Sequence, residues 1–94
     1  MTTALERSNW FAAVASVPAC VLCGQHGVQV SHSNQQRGMG QKSAPWMTAA
    51  LCPSCHHEID NGRTLKQSER RALHDHAILR THDWLIRNGK MRLT

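Results

Sequence analysis

The stretch LCPSCHHEIDNG, residues 51–62, places two cysteines two residues apart and two histidines directly after them. A second pair with the same spacing, Cys20 and Cys23, lies upstream of Cys52 and Cys55. A two-residue gap lets both thiolates of a pair reach one ion from a tight turn, and four thiolates complete a tetrahedron. The sequence therefore predicts one structural Zn²⁺ held by the four cysteines.

The histidines that follow the last cysteine allow two interpretations of this stretch. In the first, the cysteines form a scaffold that presents His56 for chemistry. In the second, His56 joins three cysteines as a zinc ligand. Four cysteines already complete the coordination of one ion, which favours the first interpretation. His57 is expected at the surface or beside the site rather than as a ligand.

Length and charge restrict the class of protein. Ninety-four residues make one small domain, 1–94, and a core of this size often needs a staple such as a metal ion. The formal net charge of +5 and the pI of about 9.6 favour a polyanionic partner. We expect no membrane association, because no apolar run is long enough to cross a bilayer. Regular CxxC pairs favour a reducing cytoplasm over a secreted disulfide scaffold.

The first half of the chain is predicted to contain a helix, a cysteine knuckle and two strands. Residues 4–17 are predicted as a helix whose apolar face includes Phe11 and Ala15. The segment GVQVSHS, which begins at Gly27, alternates with the period of a strand. The short apolar segment WMTAAL, which begins at Trp46, is predicted as the second strand. A glycine-containing loop joins the two strands.

The second half is predicted to be helical. Pro53 fits the first turn of a helix, where its missing N–H costs no hydrogen bond, and that helix is expected to stop at Gly62. A long helix follows over 66–88, with Asn88-Gly89 as its C-terminal signal. The fold class expected from this order is small α+β. A zinc-stapled treble-clef core over 20–62 would be flanked by an N-terminal helix and a long C-terminal helix.

Three histidines lie on the long helix. His74 and His82 share a face but are two turns apart, which is too far for one ion without a third partner. We expect His74, His76 and His82 to be solvated.

The string SHSNQQRGMGQKSAPWMTAALCPSCHHEIDNG, residues 31–62, resembles small prophage-encoded nucleases. The resemblance rests on a His-x-Asn, a Gly-Met-Gly loop and a Cys-His-x-Glu-Ile-Asp helix, and it extends loosely over residues 20–90. The cysteine framework is similar to that of the zinc-stapled, endonuclease VII-type nucleases of phages. Both groups have the HNH fold, also called ββα-metal or His-Me finger.

This resemblance implies a metal-dependent DNA endonuclease that hydrolyses phosphodiester bonds. It implies His32 as the general base that activates water, Asn34 as a second polar group of the hairpin, and His56 as a ligand of a catalytic cation such as Mg²⁺ or Mn²⁺. Histidine titrates near neutral pH, which suits a base, and a cation stabilises charge on a phosphate. Asp60, one turn from His56, is a further candidate ligand. The chain departs from the wider family at Ser31, where many members carry a cation-binding aspartate.

Plainer roles stay open for these residues. His32 could satisfy a buried hydrogen bond, His56 and Asp60 could be ordinary helix-surface groups, and Asn34 could hold the loop. The expected phosphate contacts lie in predicted loops around the site: Arg37, Lys42, Arg63 and Lys66. The alternative function is a catalytically silent treble-clef module that binds nucleic acid or a protein partner, which would not need two converging imidazoles.

Overall fold

The computed structural model describes residues 4–32, 46–61 and 65–90 of the chain. The chain forms helix α1 (Ala4–Ala15), strands β1 (Gln29–His32) and β2 (Thr48–Leu51), helix α2 (Pro53–Asn61) and helix α3 (Gln67–Arg87). These elements confirm a small α+β domain with a two-stranded sheet and three helices. None of the described helices has the length and apolar character that crossing a bilayer requires.

The two strands form an antiparallel hairpin. Gln29 lies opposite Leu51 and His32 lies opposite Thr48. Side chains alternate between the faces of a strand, so Gln29 and Ser31 share one face of β1. His32 projects from the other face. This alternation decides which side chains of β1 can meet α2 and α3.

Both faces of the hairpin are covered. All four residues of β2 are buried, which is unusual for a strand at the edge of a two-stranded sheet. One face packs against α2, α3 and the first cysteine in a cluster of Cys20, Ala49, Leu51, Cys52, Ile59, Ala77 and Ile78. The other face packs against α1 and the C-terminal part of α3 in a cluster of Val14, Val17, Ala50 and Leu85. The sheet is therefore the middle layer of the domain.

Helix α1 meets the sheet through Trp10 and Val14. Val14 is fully buried, and the Nε1–H of Trp10 donates a hydrogen bond of 2.9 Å to Thr48 Oγ1. Ala15 is exposed, so its expected place on the apolar face is wrong. The helix also ends before the expected residue 17, because the residue preceding Pro18 is disfavoured in a helix.

Helix α3 lies across the hairpin through a stripe of buried residues, His74, Ala77, Ile78, Thr81 and Leu85. Thr81 also makes a polar contact with the sheet, because its Oγ1 accepts the N–H of Ala50 at 3.1 Å. The predicted C-terminal signal is confirmed. Asn88 is the C-cap, and Gly89 has a φ of 70°, in the left-handed region that favours glycine.

The histidines of α3 differ from the expectation that all three are solvated. His76 is exposed, as expected. His74 is only 4% exposed, and its Nε2 lies 3.0 Å from Ser31 Oγ. His82 is half-buried, and its Nε2–H donates to the carbonyl of Trp46 at 2.6 Å. The expectation is wrong for His74 and His82, because both point toward the hairpin that α3 covers.

Candidate metal centres

The first cysteine pair lies on a tight turn between α1 and β1. The N–H of Cys20 donates to the carbonyl of Gln25, and the N–H of Gly24 donates back to the carbonyl of Cys20, each at 2.9 Å. Gly24 has a φ of 80°, which costs a residue without a Cβ little strain. The turn brings Cys20 and Cys23 to one side of the backbone.

The second pair lies at the start of α2. Cys52 occupies the N-cap position, and its carbonyl accepts the N–H of His56 at 2.9 Å. Its Sγ accepts the N–H of Cys55 at 3.5 Å, as a capping side chain does. Pro53 begins the helix, as predicted, because a first-turn position needs no N–H donor. The cap thus holds Cys52 and Cys55 on the same side of the first turn.

The two pairs meet in one cluster. The four sulfur atoms lie within 4.8 Å of one another, and no cysteine is in a disulfide. The sulfurs of Cys23 and Cys52 approach each other to 3.5 Å. A tetrahedral zinc with Zn–S bonds of about 2.3 Å would space its sulfurs about 3.8 Å apart. The cluster therefore fits a metal ion such as zinc, and within the described ranges it is the one group in which three or more Cys, His, Asp or Glu side chains come close enough to share an ion.

The thiols influence one another strongly. Burial raises the pKa of Cys20, but hydrogen bonds from the backbone of Cys52, Cys23 and Leu22 outweigh it and lower that pKa to about 6. Burial and the neighbouring sulfurs of Cys23, Cys52 and Cys20 raise the pKa of Cys55 far above its ordinary range. One thiolate thus opposes ionisation of the next. A bound divalent cation would remove this opposition, because it stabilises every thiolate it contacts.

A second group of possible ligands lies beside the cysteine cluster. His56 Nε2 is 2.9 Å from Asp60 Oδ2, one turn further along α2, and the two side chains are 26% and 34% exposed. His56 Nδ1 is 2.9 Å from Gln29 Oε1 on β1. Both side chains are partly exposed, so a cation held by this pair would also be accessible to water and substrate.

The end of α2 is also fixed in place. Arg70 of α3 donates from Nη1 to the carbonyl of Asp60 at 3.2 Å and approaches that of Ile59 at 3.5 Å. A cationic side chain at a helix C-terminus satisfies carbonyls that lack partners within the helix. Cys52 and Arg70 therefore hold the two ends of the helix that carries His56 and Asp60.

His32 lies on the opposite face of β1 from this group. Its ring meets Phe11 of α1 edge-on, with ring centroids 5.1 Å apart. His56, in contrast, contacts Gln29 on the face that looks toward α2. The strand pleat therefore separates His32 from His56, whose side chains the nuclease resemblance implied as parts of one active site.

Two residues near the site were missed by sequence reasoning. Gln29 looked like the polar half of an alternating strand, and His74 looked like a solvated helix residue. Ser31 is fully buried against His74, so it contributes no open cation ligand in place of the aspartate that many HNH nucleases carry there. The shared face of Gln29 and Ser31 follows from the alternation, but nothing in the sequence shows that this face meets α2 and α3.

The predicted nucleic-acid contacts are only partly described. Lys66 is exposed directly before α3. Arg37, Lys42 and Arg63, together with the predicted hairpin group Asn34, lie outside the described residues. Their roles stay predictions.

Comparisons with protein-family models, with curated proteins and with solved structures found no significant match for this chain.

Proposed function

We propose that the protein is a metal-dependent, HNH-type DNA endonuclease of phage or prophage origin that hydrolyses phosphodiester bonds. One observation carries the proposal. His56 and Asp60 lie 2.9 Å apart on the exposed side of α2, in the turns that follow the cysteine cluster, with β1 alongside. A partly exposed nitrogen and carboxylate on a rigid scaffold suit a catalytic cation that must also bind substrate.

We further propose that the core is a zinc-stapled treble clef of the ββα-metal type. Support comes from the positions of the cysteines. One pair lies on the knuckle before the hairpin, the other caps the helix after it, and all four sulfurs form one cluster. Zn²⁺ in this cluster would be structural, since four thiolates leave no position for water.

In the proposed mechanism His56 Nε2 and Asp60 Oδ2 would hold the catalytic cation, such as Mg²⁺ or Mn²⁺. When bound, the cation stabilises negative charge on the phosphate and on the leaving oxygen. Gln29 and the helix cap keep the His56 ring in place, while Arg70 fixes the end of α2 near Asp60. These contacts reduce the movement of the ligands.

His32 is the proposed general base, which takes a proton from the attacking water. It is the last residue of β1, so its side chain stands where the hairpin loop begins. To act together with His56, its ring must turn from Phe11 toward the end of the hairpin. Asn34, two residues further, is the proposed second polar group of this part of the site.

A second function is favoured by the separation of the two histidines. A zinc-stabilised module that only binds nucleic acid or a protein partner has no need for His32 and His56 to share a face, and they do not share one. In that case His56 and Asp60 form an ordinary i,i+4 pair on a helix surface.

DNA is the proposed partner, in the cytoplasm of a bacterial host. The net charge of +5 favours a polyanion, and exposed Lys66 lies at the N-terminal end of α3, close in sequence to the end of α2. Arg37, Lys42 and Arg63 are the further proposed phosphate contacts.

The test is DNA cleavage by zinc-loaded protein on plasmid, linear and branched DNA with Mg²⁺, Mn²⁺, Ni²⁺ or Zn²⁺ added. We expect cation-dependent cleavage by the wild type. His56→Ala should lose activity and regain part of it at high cation concentration. His32→Ala should lose about 10²–10⁴-fold in rate, with a residue of activity that rises with pH as hydroxide replaces the base.

His57→Ala is the matched control, because His57 is exposed on the same helix and outside the proposed site. It should cut DNA at the wild-type rate. Equal cleavage by all four proteins would identify a contaminating nuclease. A wild type that binds DNA but cuts nothing with any cation would favour the binding module.

A further inference from the structure

Three polar groups form a chain across the junction of β1 and α2. Gln29 Oε1 lies 2.9 Å from His56 Nδ1, and His56 Nε2 lies 2.9 Å from Asp60 Oδ2. Both nitrogens of the imidazole ring are therefore in hydrogen-bonding range of an oxygen. The positions of the ring protons decide whether these three side chains can bind a cation.

A neutral imidazole carries one N–H and one lone pair. The amide oxygen of Gln29 is an acceptor, so the proton belongs on Nδ1. The lone pair of Nε2 then faces the carboxylate of Asp60, which is also an acceptor. Two acceptors at 2.9 Å repel each other unless Nε2 carries a second ring proton or a metal cation lies beside them.

We propose that Gln29 is a positioning residue: its amide oxygen holds the His56 proton on Nδ1 and thereby directs the Nε2 lone pair, beside Asp60, toward a divalent cation. This inference rests on the proposed cation site. Histidines that bind metals usually donate their other ring N–H to a carbonyl or carboxylate, which fixes the tautomer and increases the basicity of the ligating nitrogen.

Gln29 is suited to this task by its place in the sheet. It is the first residue of β1 and pairs with buried Leu51, so its backbone is fixed relative to α2. Metal-binding side chains whose partners lie on rigid elements lose less freedom on binding.

The reverse orientation of the amide gives the opposite expectation. If the NH₂ of Gln29 donated to Nδ1, the proton of His56 would lie on Nε2 and donate to Asp60. All three side chains would then be hydrogen-bonded without a cation. Gln29→Glu separates the two cases, because a carboxylate accepts but does not donate. Gln29→Met removes the acceptor with little change in length.

The first measurement is the tautomer of His56 in the zinc-loaded full chain without a second cation, read from ¹⁵N histidine shifts at a pH at which the ring is neutral. We expect the proton on Nδ1 in the wild type and in Gln29→Glu, and on Nε2 in Gln29→Met. Gln25→Glu adds the same charge at an exposed position of the knuckle and should leave the tautomer unchanged. A wild-type proton on Nε2 would overturn the proposal.

The second measurement is Mn²⁺ binding to the same proteins, followed by electron paramagnetic resonance, with His56→Ala to identify the site. We expect Gln29→Met to bind about 10-fold or more weakly and Gln29→Glu at least as tightly as wild type. A wild type without His56-dependent binding would refute both the cation site and the role of Gln29. A wild type that binds normally, with Gln29→Met unchanged, would refute the role of Gln29 alone.

Discussion

A buried hydrogen bond between two polar side chains joins α3 to β1. Ser31 is fully buried, His74 is 4% exposed, and their side chains meet at 3.0 Å. Removing one partner of such a pair leaves the other without a hydrogen bond in a place that water does not reach, which costs about 1–3 kcal/mol.

The same pair makes stability depend on pH. Burial lowers the pKa of His74 from 6.5, although a hydrogen bond to Ser31 and the charge of Asp60 oppose it. Between that value and the lowered pKa, the unfolded chain binds a proton that the folded chain does not. The contribution of neutral His74 to the free energy of unfolding is therefore fully present above pH 6.5. As the pH falls below 6.5, the free energy of unfolding decreases.

We expect His74→Asn to lower the free energy of unfolding by about 1–3 kcal/mol above neutral pH and to weaken its pH dependence. Urea unfolding with saturating zinc, at about pH 7.5 and about pH 6, measures both effects. His76→Asn is the matched control, since His76 is exposed on the same helix. An unchanged pH dependence in His74→Asn would contradict the assignment.

At the scale of elements, α3 is attached to the sheet by more than apolar packing. Thr81 Oγ1 accepts the N–H of Ala50 on β2 and donates to the carbonyl of Ala77 at 2.8 Å within the helix. The carbonyl of Ala50 in turn accepts the N–H of Val21 at 3.2 Å, so one hydrogen bond joins the knuckle to the outer edge of β2. Thr81 therefore connects helix, sheet and knuckle.

Thr81→Val keeps the shape of the side chain but removes the acceptor for the buried N–H of Ala50. We expect it to lower the free energy of unfolding by about 1–3 kcal/mol. Thr81→Ser keeps the hydroxyl and loses one methyl group, so it should cost about 1 kcal/mol. Urea unfolding compares the two variants. If Thr81→Val were as stable as the wild type, the hydrogen bond would not contribute to the stability of the fold.

At the scale of the molecule, the cysteine cluster joins distant parts of the chain. It connects the knuckle, which follows α1, to the start of α2, and the hairpin lies between them in sequence. Structural zinc contributes on the order of 10 kcal/mol to folding in small domains, which equals the whole stability of many of them. The domain should therefore depend on its metal.

We predict one Zn²⁺ per chain and loss of the fold in Cys52→Ser. Metal analysis combined with circular dichroism before and after chelation tests both statements. Ser54→Ala, at an exposed position of the same turn, should keep both the metal and the fold. Purified protein that is folded yet free of zinc would be inconsistent with this prediction.

The net charge of +5 also belongs to the whole molecule, and it makes the proposed DNA binding dependent on salt. If Lys66 contacts a phosphate, Lys66→Ala should reduce the slope of log K against log salt by about 0.9. Lys90→Ala, at the opposite end of α3, should leave the slope unchanged. Fluorescence anisotropy at several salt concentrations measures the slope, and binding that does not respond to salt would rule out an electrostatic interface.

The features that depend on local chemistry could be predicted from the residues alone. The spacing of the two CxxC pairs predicted the cysteine cluster, since each pair needs only its own turn to align two sulfurs. Pro53 predicted the start of α2 and Asn88-Gly89 the end of α3, because proline and glycine restrict or free the backbone where they stand. The alternation of apolar and polar residues after Gly27 predicted β1, because successive side chains of a strand point to opposite faces.

Which face of β1 meets which helix depends on the packing of the whole domain. Strand alternation divides side chains into two sets, and burial of one face normally shows which set points inward. Here β2 is buried on both faces and helices cover the hairpin from either side. Hydrophobicity therefore could not show which set of side chains faces which helix. That choice placed Gln29 beside His56, Ser31 against His74, and His32 on Phe11. Long-range packing, which no local pattern encodes, thus determined the composition of the candidate site.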